Sequence, residues 1–259
     1  MNLVVLIAAM PGELKPLVSG WRHVCRNGVD LWSSDEGEWV AACAGAGADA
    51  ATRAFAEAEI DGAASLVIST GWAGALNEAF EPGRAYRVSG VVDARTGERF
   101  VAAVRPDESV VSHPSDKNKD VARVGHPDPC WLVTSSRVAD EPEKRRLGAT
   151  YGAGLVDMEA AAVARLAQMR GIPFYCVKGV SDGYRERLPD FNHFIRANGK
   201  FNLSRFIVFA VLRPWYWPSL IRMGENSRKA AQGIRESLLD FLDERGYIRE
   251  RNGDPDKKR

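Results

Sequence analysis

No apolar run in this sequence approaches the length that a bilayer-spanning helix needs. Charge of one sign is missing too: 35 Lys and Arg stand against 34 Asp and Glu, a formal net charge of +1. Without a basic excess, polyanion binding has no bulk support, and no nucleic-acid partner is expected. Cysteine and histidine are scarce, at four residues each. Cys25, Cys43, Cys130 and Cys176 share no CxxC spacing and three sit among apolar neighbours, the pattern of free thiols in a reducing compartment. His126 and Cys130 are near enough to share a metal, yet two prolines stand between them and no second pair has ligand spacing, so no metal is expected. The first residues, Met1 to Ala9, lack a basic segment and run into Pro11-Gly12-Glu13, which fits a buried strand and not a signal peptide. A cytoplasmic location is the resulting expectation.

What is present is ordinary globular material: 259 residues, 45% hydrophobic and 27% charged, enough for one large core. Leu3 to Ala9 reads as a buried strand, and Pro11 suits the first turn of a helix that places Glu13 near its positive end. Asp30 to Ser33 and Glu38 to Ala44 form a hairpin around Asp35-Glu36-Gly37. Gly45-Ala46-Gly47 breaks the pattern before an alanine-rich helix from Asp49 to Ile60. Leu66 to Ser69 is the next strand, followed by a glycine-bearing turn, Thr70-Gly71-Trp72-Ala73-Gly74. Val88 to Val92, Arg99 to Val104 and Cys130 to Thr134 read as strands, with a polar loop over 105–129. A helix runs from Met158 to Met169 and ends at Gly171, and Phe174 to Val180 is a buried strand. Alternating strands and helices predict an α/β sheet. We expect a single domain over 1–248, with an aromatic-rich helical extension from about 201 that includes a helix from Ser227 to Glu244 capped by Gly246. The charged tail over 249–259 should fray.

Ligands of open α/β sheets gather beyond the carboxyl ends of the strands. Glu13, the Gly45 loop, the Gly71 loop and Asp182 all fall just after predicted strands. Each acid also has a plain structural role available. Glu13 can complement a helix N-terminus, Asp157 can cap the helix that follows it, and Asp182 can cap the turn before Gly183. Their convergence points instead to a site.

Four segments occur in one order: Ala8-Ala9-Met10-Pro11-Gly12-Glu13, Thr70 to Leu76, Val156-Asp157-Met158-Glu159-Ala160-Ala161-Ala162 and Val177-Lys178-Gly179-Val180-Ser181-Asp182. They resemble the signature segments of the purine nucleoside phosphorylase and methylthioadenosine/S-adenosylhomocysteine nucleosidase family, over roughly residues 2 to 185. The resemblance implies a three-layer α/β/α sandwich around a mixed sheet, a homodimer, and no metal or organic cofactor. It implies scission of a purine N-glycosidic bond through an oxocarbenium-like ribose. In that scheme Asp182 protonates the departing base, a role that calls for burial or a neighbour favouring its neutral form. Glu13 orients the attacking water, Glu159 grips the ribose hydroxyls, Met158 packs on the sugar and Ser181 supports Asp182. Asp157, Gly71, Trp72 and Gly45 complete the expected substrate-binding set.

Hydrolysis and phosphorolysis both remain open. Phosphorylases of the family bind phosphate through a glycine-and-arginine loop after the first strand and another arginine near the third. No arginine stands near Met10-Pro11-Gly12-Glu13 or between Ser65 and Gly74, which favours water as nucleophile, although the Gly45-Ala46-Gly47 amides could cradle an anion. A non-catalytic nucleoside binder on the same fold is a further alternative. The chain departs from the methylthioadenosine enzymes at Trp72, where they carry a small residue, and at Asp157, where they carry glutamate. Trp72 either reshapes the pocket or packs in the core. The aromatic segment Arg213-Pro214-Trp215-Tyr216-Trp217-Pro218 and the stretch 91–100 are similar to the hopanoid-associated branch of the family, implicated in removing adenine from adenosylhopane. That suggests a purine nucleoside with an apolar 5′ group, with Phe206-Ile207-Val208-Phe209 and Trp215, Tyr216 and Trp217 forming a rim for it or making a peripheral contact with a membrane surface; a sheet cover or dimer contact is the other reading of the segment.

Overall fold

The computed structural model describes residues 3–35, 37–103, 130–186 and 188–244. The expected polar loop over 105–129, His126, the Gly246 cap and the tail over 249–259 lie outside the described residues. Strand β1 (Leu3–Ala8) is buried at every position. Val5 and Ile7 enter one core cluster, while Val4, Leu6 and Ala8 enter the other. A strand covered on both faces has no polar side to alternate with, hence its continuous apolar sequence. Short helix α1 (Pro11–Leu14) follows, and then an antiparallel edge of β2 (Arg22–Arg26), β3 (Val29–Ser33) and β4 (Trp39–Cys43). Strand β2 has no sequence signal because almost all of it is exposed; it is an edge strand carrying Arg22, His23 and Arg26. Helix α2 (Ala48–Ala58) leads into β5 (Ala64–Ser69), and β1 pairs in parallel with both β4 and β5.

The second half adds β6 (Trp72–Ala75), β7 (Ala85–Arg87), β8 (Gly90–Asp93), β9 (Arg99–Val101) and β10 (Trp131–Thr134). Helix α3 (Glu141–Tyr151), β11 (Leu155–Asp157), α4 (Ala160–Arg170), β12 (Phe174–Asp182), α5 (Leu203–Val211) and α6 (Trp217–Glu244) complete the described elements. The strands form one mixed sheet in the order β2-β3-β4-β1-β5-β12-β6-β11-β10-β8-β9, with β7 beside β12. Ala50, Ala54 and Phe55 of α2 and Val163 and Ala167 of α4 cover one face. Leu14 of α1 and Ile234, Leu238 and Phe241 of α6 cover the other. This is the expected three-layer α/β/α arrangement with a C-terminal helix. Tyr175 of β12 stacks on Phe241 of α6 with ring centroids 3.7 Å apart. Gly179 brings the same two elements together: a side-chain carbon there would lie 2.7 Å from Ala230 Cβ.

Two local expectations change, and one helix not expected from the sequence is added. The Thr70–Gly74 segment is a turn only at its start; from Trp72 it is β6, parallel to β12 and antiparallel to β11. Helix α3 has no apolar stripe, since Lys144 and Leu147 are its only buried residues, so hydrophobic periodicity does not reveal it. Its capping does: Asp140 accepts from the Glu143 amide, Pro142 lies in the first turn and Gly152 ends it at φ 64°. Helix α6 begins at Trp217 and not at Ser227, because none of its residues before Ser227 is buried and the core periodicity starts only there.

Candidate active site

Strand β1 ends at Ala8, and the turn into α1 folds Glu13 back over that end. Its Oε2 accepts from the Ala9 amide at 2.8 Å and the Met10 amide at 2.9 Å, and its Oε1 from the Trp72 amide at 3.1 Å. Gly71 makes this possible. At φ +113°, a side-chain carbon would lie 2.7 Å from Glu13 Oε2. Gly71 therefore admits the Glu13 carboxylate instead of lining the cavity. Burial pushes the Glu13 carboxyl above its ordinary range, outweighing the three backbone donors and the charge of Lys178.

Asp157 and Glu159 leave β11 on either side of Met158. Asp157 Oδ2 lies 2.9 Å from Lys178 Nζ and accepts from the Ala160 amide at 2.9 Å, while its Oδ1 accepts from Thr134 Oγ1 at 2.7 Å. It thus accepts from the first amide of α4, whose N-cap residue is Glu159 and not Asp157, and holds a buried ammonium as well. Lys178 also donates to Thr70 O at 2.8 Å, which ties β12 to the Gly71 turn. Burial works against the charged lysine, but Asp157, Cys176 and Glu159 around it outweigh that and raise its value. Glu159 Oε1 accepts from the Gly47 amide at 2.7 Å. Its carboxyl is pushed up to about 8, by burial first and by the neighbouring Asp157 charge second. Gly45 sits away from the cavity: it donates to Ala9 O at 3.1 Å, and a side chain on it would strike the Gly199 backbone.

At the end of β12, Ser181 Oγ donates to Asp182 Oδ1 at 2.6 Å, and Lys144 of α3 donates to Asp182 Oδ2. Lys144 makes a second bond to Gly183 O at 2.8 Å and is 2% exposed. Gly74 gives this pair its room, since a side chain there would meet Asp182 Oδ2 and Lys144 Cε, both at 3.2 Å. The role drawn for Asp182 asked for a neighbour that favours the neutral acid. The neighbours supplied are the Lys144 ammonium on one oxygen and the Ser181 hydroxyl on the other, and an ammonium is not the kind of neighbour that role asked for.

These groups open onto one cavity of about 290 Å³. Glu13, Trp72, Lys144, Asp157, Met158, Glu159, Ser181 and Asp182 line its sheet side. Leu188, Phe191, Ile195, Phe201, Leu203, Phe206 and Met223 line the other. Of the sequence-derived set, only Gly45 and Gly71 stay off the wall. Trp72, half-buried, lines the cavity, and its Nε1 donates to Ser227 O of α6 at 3.1 Å. Lys144, Phe191 and Phe201 were not anticipated; of the expected apolar rim, Phe206 lines the cavity, while Ile207, Val208, Phe209, Trp215, Tyr216 and Trp217 do not. Lys178 lay inside a matched segment without being given a role. Arg137 also lines the cavity, 3.9 Å from Glu143 across solvent-exposed surface. None of the four cysteines is in a disulfide, and three are buried. Among the described residues, no group of His, Cys, Asp and Glu is arranged to hold a metal ion.

A family model described as the phosphorylase superfamily matches residues 3–208. A comparison with curated protein sequences finds no match. Among solved structures, the chain is similar to a futalosine hydrolase of Helicobacter pylori, at TM-score 0.62 and 15% identity over 93% of this chain and 98% of that one. It is also similar to the 5′-methylthioadenosine/S-adenosylhomocysteine nucleosidase of Neisseria meningitidis, at TM-score 0.62 and 17% identity over 93% of this chain and all of the other. A 5′-methylthioadenosine nucleosidase of Arabidopsis thaliana gives TM-score 0.63 and 17% identity over 93% and 96%.

Proposed function

The chain belongs to the phosphorylase superfamily, and from that premise we propose that it hydrolyses the N-glycosidic bond of a purine nucleoside bearing an apolar 5′ group. One observation carries the choice of water over phosphate: the amides that could cradle a dianion are already taken. Glu13 occupies those of Ala9, Met10 and Trp72. In the second glycine loop, Gly45 and Ala46 donate to Ala9 O and Gly199 O, and Gly47 donates to Glu159. Phosphate would have to displace a buried carboxylate from its donors, while water need only approach it.

The chemistry follows from the charges. The C1′–N9 bond breaks with its electron pair moving to the purine, whose N7 takes a proton from Asp182; Lys144 replenishes that proton. Water adds its oxygen to C1′ and gives a proton to Glu13, whose buried carboxylate holds a proton more readily than a free one. Glu159 accepts from the ribose hydroxyls, and Met158 packs on the sugar. The phenylalanine wall receives the 5′ substituent. Adenosylhopane, an adenosine with a polycyclic hydrocarbon at that position, is the specific substrate we put forward.

Release of free base is the test, measured with adenosine, inosine, methylthioadenosine and an adenosine carrying a long apolar 5′ chain, each with and without phosphate. Phosphate-independent release, fastest for the apolar substrate, is expected. Strict phosphate dependence would make the protein a phosphorylase, and binding without turnover would make it a nucleoside-binding protein.

A further inference from the structure

From Lys200 to Asn226 no residue is buried, yet the segment holds the largest concentration of apolar side chains on the described surface. Ile207, Val208 and Val211 stand together on the outer side of α5 at 51–63% exposed. Leu212, Trp215, Trp217 and Ile221 extend that face across the turn into α6. The turn is held in shape, with Trp217 Nε1 donating to Ala210 O at 2.8 Å and Arg213 over the Phe209 ring at 4.3 Å. Between residues 201 and 224 there is no Asp or Glu, while Arg205, Arg213 and Arg222 are present.

We propose that this face, carried by α5 and the first turns of α6, docks on an anionic lipid bilayer and presents the mouth of the cavity to it. Tryptophan beside arginine on an apolar ridge is the make-up of an interfacial element, with rings at headgroup depth and guanidinium groups on lipid phosphate. Charge argues against a second copy of the chain, because a two-fold contact would set Arg205 and Arg213 against their own copies, with no Asp or Glu between residues 201 and 224 to pair them. Most of the face also lies beyond residue 208, where the family match ends. Among the described residues no helix is long and apolar enough to cross a membrane, so the contact lies in the plane of the surface. Leu203 and Phe206, on the same helix, line the cavity. An apolar 5′ chain would pass from bilayer to site without crossing water. The inference rests on the proposed substrate class only for that last step.

The experiment is co-sedimentation of the full chain with large vesicles of phosphatidylcholine alone or with phosphatidylglycerol, repeated with Ile207→Glu/Val211→Glu and with Arg213→Glu/Arg222→Glu. Binding to the anionic vesicles is expected, weakened about tenfold or more in each variant. Base release from soluble adenosine, which uses none of these side chains, should stay unchanged in both variants, and so should thermal unfolding of Ile207→Glu/Val211→Glu. Absence of vesicle binding would overturn the proposal whatever the enzyme activity, and so would a dimer, seen by sedimentation velocity, that the same variants abolish.

Discussion

At the sheet side of the cavity every carboxylate has named partners: backbone amides for Glu13, Gly47 for Glu159, Lys178 for Asp157, Lys144 and Ser181 for Asp182. Across from it, the side chains of Phe191, Phe201 and Phe206 meet one another through ring contacts, with centroids 5.3–6.3 Å apart. The first wall is fixed by directional bonds anchored in strands, the second by non-directional contact between rings on a short turn and an exposed helix. Chemistry needs atoms held to a fraction of an ångström, whereas an apolar substituent needs only a surface of the right kind. The two walls therefore call for different kinds of perturbation.

The largest effect should come from the polar wall. Asp182→Asn is expected to slow base release on the order of a thousandfold with little change in unfolding temperature, and Lys144→Met on the order of a hundredfold. Single-turnover rates for both variants, on adenosine and on the apolar substrate alike, provide the check. An undiminished rate in Lys144→Met would remove the lysine from the proton path. A smaller effect belongs to the other wall. Phe206→Ala should raise KM for the substrate with the apolar 5′ chain by about tenfold while leaving adenosine unaffected. Equal losses on both substrates would mean that the phenylalanine wall shapes the catalytic end as well.

The smallest effect is thermal. Burial raises the Glu159 carboxyl from 4.5 to about 8, so the folded chain keeps a proton there that the unfolded chain has released. A group of this sign contributes stability at low pH and loses it as pH climbs through that interval. Tm of the free protein should fall by a few degrees between about pH 5 and about pH 8, and Glu159→Gln should flatten the decline. A Tm that rises over the same interval would contradict the assignment.

Much of the polar wall was legible in the sequence because its acids sit where strands end and helices begin, and such positions leave marks: Pro11 after β1, Asp157 before an alanine-rich helix, Asp182 before a glycine. Helix α3 was not legible by periodicity, since only Lys144 and Leu147 of it face inward; Lys144 went with it, although Asp140, Pro142 and Gly152 marked both ends. The identity of Gly71 was legible and its job was not. Only the fold brings a carboxylate to within 2.7 Å of where its side chain would begin. The phenylalanine wall draws on residues 191 to 206, whose aromatic spacing follows neither a strand nor a helix period until the 3-10 turn at Phe191–Phe194 and α5 are placed against each other.

The close seat of α6 on β12 at Gly179 and Ala230 has a bearing on how this protein can diverge. In one 28-residue helix, the part from Ser227 onward is pinned by that seam and by the Tyr175–Phe241 stack, while the part from Trp217 to Asn226 touches no core. Related chains should accordingly show two tempos of drift along a single element. Small and aromatic positions in the second half would be near-frozen, and the first half would be free to exchange one greasy residue for another so long as its character survives. Lineages facing a different 5′ group could then retune the front of the helix without disturbing the strand that carries the acid.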